Sequence, residues 1–232
     1  MPSITAVADQ LVAADLPALF SDTCILLDVI RSIERCDADC IAKASGLLDA
    51  ATVAPIRCQL IVSNIVRYEW GAHDVALTAK AARHLLKLEE LSKHFHDACS
   101  VFGITPSFAR ANYSGYGIAD QLHDLARRIV DRSLIVESDD ECSGRAVQRV
   151  MHNVPPSEKG GGVKDCTILE EYLATCRQAR AGGFQKRLVY CTSNTNDYCD
   201  GGALHAVLRP DFVAVGLQFT TNLGWGYYEL MR

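Results

Sequence analysis

The stretch Arg187-Leu188-Val189-Tyr190-Cys191-Thr192, running straight into Ser193-Asn194-Thr195-Asn196-Asp197, decides the architecture. A short apolar run closed by polar turn-forming residues reads as a buried strand ending at a loop. Two other stretches repeat the pattern. Cys58-Gln59-Leu60-Ile61-Val62 is followed by Ser63, a good helix N-cap. Pro17-Ala18-Leu19-Phe20 leads into Ser21-Asp22-Thr23, and the mostly apolar segment 24–33 then opens a helix. Strand followed by helix, repeated, predicts an α/β fold: a three-layer α/β/α sandwich around a mostly parallel sheet. In such sheets ligands bind outside the carboxyl ends of the strands, which is where Asp22 and the 192–197 turn fall.

Working outward, the periodicity predicts a short helix in 1–16, another over 37–50, and one after Ser63 that carries Glu69 in its second turn. A long amphipathic helix is expected over 74–101, a Pro-, Gly- and Tyr-containing loop over 103–117, and a helix over 118–135. Further helices are expected over 143–152 and 164–180, the second opening on Lys164-Asp165 and closed by Gly182-Gly183. Residues 212–219 read as an edge strand, and the aromatic tail 222–232 as a segment packed on the body. The 232 residues are expected to form one domain with a helical insertion at roughly 73–137.

Composition narrows the class. Hydrophobic residues make up 49% and charged residues 22%, enough to build a substantial core and too apolar for a disordered chain. A net charge of −5 is unusual for a nucleic-acid binder, although an acidic active site contributes to it. The ten cysteines show no CxxC pair and no zinc-finger spacing, so they read as buried, reduced residues of a cytosolic protein. No basic-then-apolar leader and no run of about 18 apolar residues is present, so the expectation is a cytoplasmic protein without a membrane span.

Four acids stand at the ends of separate predicted elements: Asp22, Glu69, Asp165 and Asp197. Carboxylates gathered at one sheet edge repel one another unless a cation neutralises them, and a hard divalent ion suits oxygen ligands. Each acid also has a plain structural reading. Asp165 at a helix start can be a cap, Asp22 a turn acid, Glu69 a residue beside a core flank of Tyr68 and Trp70, and Asn194 and Asp197 turn formers. His94 and His96, two apart on a helix, face different directions and read as solvated. Gly160-Gly161-Gly162 lacks the preceding strand and following Gly-Lys-Ser/Thr of a phosphate loop, and reads as a loop at the mouth of the site. Arg127, Arg128, Arg132, Arg177, Arg180, Lys186 and Arg187 are candidate backbone contacts or a solvated face.

In order and context these segments resemble the PIN-domain nucleases, especially a larger variety with Lys-Asp at a helix start and a Thr-x-Asn-x-x-Asp-aromatic turn. The matching elements are Asp22-Thr23 with Ile25-Leu26-Leu27, Glu69 beyond Leu60-Ile61-Val62, Lys164-Asp165 after Pro155-Pro156, and Thr192-Ser193-Asn194-Thr195-Asn196-Asp197-Tyr198. Asn194 stands where many members carry an acid. The resemblance implies a metal-dependent endoribonuclease using Mg²⁺ or Mn²⁺, held by Asp22, Asp165, Asp197 and Glu69, of toxin or RNA-processing type. It implies RNA, or single-stranded DNA, as substrate, a homodimer, and an inhibitor or antitoxin as protein partner. Thr23, Thr192, Ser193 and Asn194 would hydrogen-bond a carboxylate or the scissile phosphate, and Lys164 would contact the phosphate backbone. The alternative is an inactive PIN-like module that binds nucleic acid or acts as a scaffold. A haloacid-type phosphatase would need an acid two residues after Asp22, and Cys24 stands there.

Overall fold

The computed structural model describes residues 3–108, 112–158 and 162–232, so Gly160 and Gly161 of the expected loop lie outside the described residues. The chain runs α1 (Ile4–Ala14), β1 (Ala18–Ser21), α2 (Thr23–Arg31), α3 (Ala38–Thr52), β2 (Gln59–Ser63) and α4 (Asn64–Val101). It continues with a 3₁₀ turn (Ser114–Tyr116), α5 (Ile118–Arg132), β3 (Leu134–Val136), α6 (Asp140–Met151), α7 (Val163–Ala181) and β4 (Leu188–Cys191). Last come α8 (Thr195–Tyr198), a two-strand ribbon of β5 (Cys199–Asp200) and β6 (Ala203–Leu204), α9 (Arg209–Val215), β7 (Leu217–Thr220) and α10 (Leu223–Met231).

Among the described residues the central sheet has five strands in the order β3-β2-β1-β4-β7, every pair parallel. Helices cover it, which makes the three-layer α/β/α sandwich. Every residue of β1 and β4 is buried, as expected of strands covered on both faces. The chain steps outward from β1 to β2 to β3, then returns to build β4 and β7 on the other side of β1. The order therefore reverses at the β1/β4 junction, and the crevice outside the carboxyl ends at such a junction is where open α/β sheets place ligands.

The local chemistry explains the boundaries. Asp22, Ser63 and Asn222 are N-caps whose side chains accept from Thr23 N, Ile65 N and Trp225 N. Beyond Ser63 no stop signal interrupts the helix, and α4 runs unbroken for 38 residues, about 57 Å at 1.5 Å per residue.

Two expected elements are corrected. The helix expected over 118–135 ends at Arg132, and Leu134–Val136 forms the edge strand β3 on β2. Ser133 makes the break: its backbone is extended, its hydroxyl donates to Ile129 O at 2.7 Å, and pairing with β2 overrides the helical periodicity. The stretch expected as an insertion thus holds a strand of the main sheet. The strand expected over 212–219 begins only at Leu217, because Pro210 opens α9 and Gly216, at φ 61°, closes it.

Eight of the ten cysteines are buried, Cys24 is half-buried and Cys36 exposed. No helix among the described residues is long and apolar enough to cross a membrane.

Candidate functional site

Asp22 follows β1 and is 4% exposed at the β1/β4 junction. Its backbone N–H donates to Cys191 O at 3.1 Å, tying it to the neighbouring strand. Its Oδ1 accepts from Thr23 N at 2.7 Å. Its Oδ2 accepts from the Thr192 hydroxyl at 2.6 Å and the Cys24 thiol at 3.3 Å. Burial pushes the Asp22 carboxyl above its ordinary range. These three donors oppose the shift, and the charge of Glu69 adds to it.

Two hydrogen-bonded chains leave Asp22. On the β2 side, the Thr23 hydroxyl donates to Glu69 Oε2 at 2.9 Å, and Lys164 Nζ stands 3.2 Å from Glu69 Oε1. Glu69 reaches the site from the second turn of α4 while its flanks part: Tyr68 is exposed and Trp70 buried. On the β4 side, Asn194 N donates to the Thr192 hydroxyl at 3.0 Å. The Asn194 and Asn196 amides then donate to Asp197 at 2.8 and 3.0 Å.

Asp165 sits in the first turn of α7. Its Oδ2 accepts from Gly162 N at 2.9 Å, so it does serve as a helix cap. It also belongs to the acid group. Its carboxyl is pushed up first by burial, against the Gly162 hydrogen bond, and then by the charges of Asp22, Glu69 and Asp197. Four acids from 22 to 197 in the chain thus share one edge of the sheet. Beneath them, the Tyr172 hydroxyl donates to Ser21 O at 2.7 Å and accepts from Ser63 N at 2.8 Å, welding the ends of β1 and β2 together. The Tyr198 hydroxyl donates to Asp165 O at 3.3 Å, and its ring packs edge-on against Tyr190.

Cys24 is the site residue that reading the sequence missed. Its sulfur contacts Asp22, lies 3.2 Å from the Thr192 hydroxyl, and accepts from Ser193 N at 3.0 Å. Burial and the adjacent Asp22 charge push the thiol up to about 12, so it stays protonated and donates. Its place two residues after Asp22 was the available signal, since that spot faces back over the cap.

The basic residues fall elsewhere. Arg180 is used by the carbonyls of Val215, Phe184, Lys186 and Gly216, and Arg187 contacts Glu229 O. Arg187 O accepts from Ala18 N, which puts it at the amino edge of the sheet, opposite the acids. Arg127 pairs with Asp124 and Asp131, and Arg132 with Ala51 O. His94 is exposed.

Whether the acids fit a divalent ion turns on their chemistry. The donors are all carboxylate oxygens, and a bound cation would offset the charges of Asp22, Glu69 and Asp197 that, after burial, raise the Asp165 carboxyl. Among the described residues, no group of three or more His, Cys, Asp or Glu is arranged to hold a metal as it stands. Glu69 is instead engaged by Thr23 and Lys164, and Asp197 by Asn194. No family model matches the chain, and no curated protein or solved structure matches it.

Proposed function

We propose that this chain is a PIN-like, divalent-cation-dependent endoribonuclease. The observation that carries the reading is the gathering of acids at one edge of the sheet: Asp22 at the end of β1, Glu69 linked to it through Thr23, Asp197 linked to it through Thr192 and Asn194, and Asp165 in the first turn of α7, raised first by burial and then by the other three charges. Acids brought together at a topological switch point, against their own repulsion, are a costly arrangement with no structural need for all four.

Asp22, Asp165, Asp197 and Glu69 would hold Mg²⁺ or Mn²⁺. Such an ion would supply a water nucleophile at neutral pH and charge neutralisation at the phosphoryl oxygens. The chain's own part is orientation. Thr192 and Thr23 N fix the Asp22 oxygens, Thr23 fixes Glu69, and the asparagine amides fix Asp197. Lys164 is 68% exposed, so it can leave Glu69 for a substrate phosphate. Cys24 keeps its proton on the Asp22 side, and the Ser193 backbone N–H donates to its sulfur. The N-terminal end of α7 faces the same edge and favours an anion there.

The rival reading is an inactive PIN-like binding or scaffold module. It is favoured by the carboxylates' having protein donors and no ready three-acid arrangement. One experiment separates the two: cleavage of end-labelled single-stranded RNA and DNA in Mg²⁺, Mn²⁺ or EDTA, by the wild type and Asp165→Asn. Metal-dependent cleavage lost in the variant supports the nuclease. A wild type that neither cleaves nor differs from the variant leaves the binding module in its place.

A further inference from the structure

A cavity of about 750 Å³ opens beside the acids, outside the carboxyl ends of β4 and β7. Ile25 and Ser193 form its near wall, and Ser193 N is bonded to the thiol that touches Asp22. Its far wall is α10, where Trp225 and Tyr228 are 60% and 53% exposed and pack edge to face at 5.8 Å. A tryptophan left this open beside a candidate catalytic loop is costly to keep in water, and its flat face suits another flat ring.

The charges say what kind of ring. Asp28, Asp37 and Asp39 line the cavity against Arg35 and Lys43, leaving it net negative by one. Asp28 is paired with Arg35 at 2.8 Å and Asp39 with Lys43 at 3.8 Å, while Asp37 accepts from Cys40 N through Oδ1, so the carboxylate of Asp37 carries the net charge of the wall. A phosphate is repelled there, whereas an exocyclic amino group is accepted. The wall is also pre-formed. Gly224 lets α10 approach Asp39 so closely that a Cβ would lie 2.8 Å from Asp39 Oδ2.

We propose that this cavity receives one base of a single-stranded nucleic acid, stacked on Trp225, with preference for bases that carry an amino group. The assignment rests on the nuclease reading above and names how its substrate is held. The strand's backbone passes the acids at Asp22 while the base beside it turns into the cavity.

The test uses the full chain carrying Trp70→Phe, since Trp70 is buried against His123 and its removal leaves Trp225 as sole tryptophan. Labelled oligo(A) and oligo(U) decamers are titrated with Ca²⁺ or with EDTA, reading label anisotropy and tryptophan quenching together. Oligo(A) is expected to quench Trp225 saturably and bind more tightly than oligo(U). Trp225→Ala should weaken oligo(A) about 10-fold while Trp225→Phe retains most of the affinity, since stacking on an aromatic is worth about a factor of ten or more per base. Binding of oligo(A) with no quenching, unchanged in Trp225→Ala, overturns the platform and leaves the nuclease intact. Equal binding of both decamers overturns the amino-group preference. If neither decamer binds under either condition, the platform falls together with the nucleic-acid reading beneath it.

Discussion

The Thr192 hydroxyl donates to the buried Asp22 carboxylate at 2.6 Å across the junction of β1 and β4. The same oxygen accepts from Asn194 N and lies within reach of Cys24. One side chain therefore sets the orientation of the most buried of the four site acids and of the loop that carries Asp197.

Replacing Thr192 by Val keeps the shape and removes the hydroxyl. A buried charged acceptor left without its best donor costs about 2 kcal/mol. Chemical denaturation should show this loss for Thr192→Val and near-wild-type stability for Thr192→Ser. Equal stability of all three proteins would show that Asp22 does not depend on Thr192.

Divalent cations should raise the melting temperature if the acids hold one. At a concentration about 100 times the dissociation constant, binding adds about 2.7 kcal/mol, or roughly 5 to 10 °C for a chain of this length. Asp165→Asn should melt no lower than the wild type in EDTA, because a repelling charge has gone, and should gain little from Mn²⁺. A wild type whose melting is the same in Mn²⁺ and EDTA would exclude a metal site at these acids.

Glu171 makes stability fall as pH rises. It lies on α7 and is 1% exposed. Burial pushes it from the ordinary 4.5 to about 7. The nearby Ser63 and Ser138 hydroxyls offset this in part, and Asp139 and Glu137 add to it. The folded chain therefore holds this proton more tightly than the unfolded one. Its contribution is fully favourable below about 4.5 and is lost as pH rises through about 7. The swing amounts to roughly 3 kcal/mol. Glu171→Gln should match the wild type near pH 4.5 and exceed it at pH 8. A stability difference that stays constant with pH would show that Glu171 is ionised throughout.

Glu170, one residue earlier, is the opposite case. Its carboxylate accepts from Arg145 Nε at 2.7 Å and Arg149 Nε at 2.5 Å, and Arg149 reaches on to Asp211 at 2.6 Å. Removing the acid leaves Arg149 with Asp211 and Arg145 with Glu141 but costs each its Nε partner, so Glu170→Ala should cost about 1 to 3 kcal/mol in urea denaturation. A cost under about 1 kcal/mol would mean that the network is solvated and structurally idle.

The strands at 18–21, 59–63 and 188–191 were legible because each is a buried apolar run closed by a capping residue, and the caps are what brought Asp22 into view. Strand β3 was not, because Leu134-Ile135-Val136 continues the apolar rhythm of α5 and only the free edge of β2 selects extension. In 212–219 an even apolar run hid the turn that Gly216 makes. The Asn194–Asp197 bond is local and follows the Thr-x-Asn-x-x-Asp spacing, whereas the links from Thr23 to Glu69 and from Thr192 to Asp22 join residues 46 and 170 apart, and spacing along the chain does not show those pairings. The same holds for Glu171, which looks like an ordinary surface acid until α7 is seen buried on most of its faces.

The reversal of strand order also has a consequence in time. Asp22 and Thr192 are separated by 170 residues, which ribosomes need roughly 10 to 30 s to add. Through that interval β1 can pair with β2 and β2 with β3, but the other edge of β1, where Thr192 reaches Asp22, waits for β4. The nascent chain thus builds half of its sheet before the loop that carries Asp197 arrives. A fragment that stops short of residue 188 would carry Asp22, Glu69 and Asp165 without Thr192, the donor to Asp22, and without Asp197.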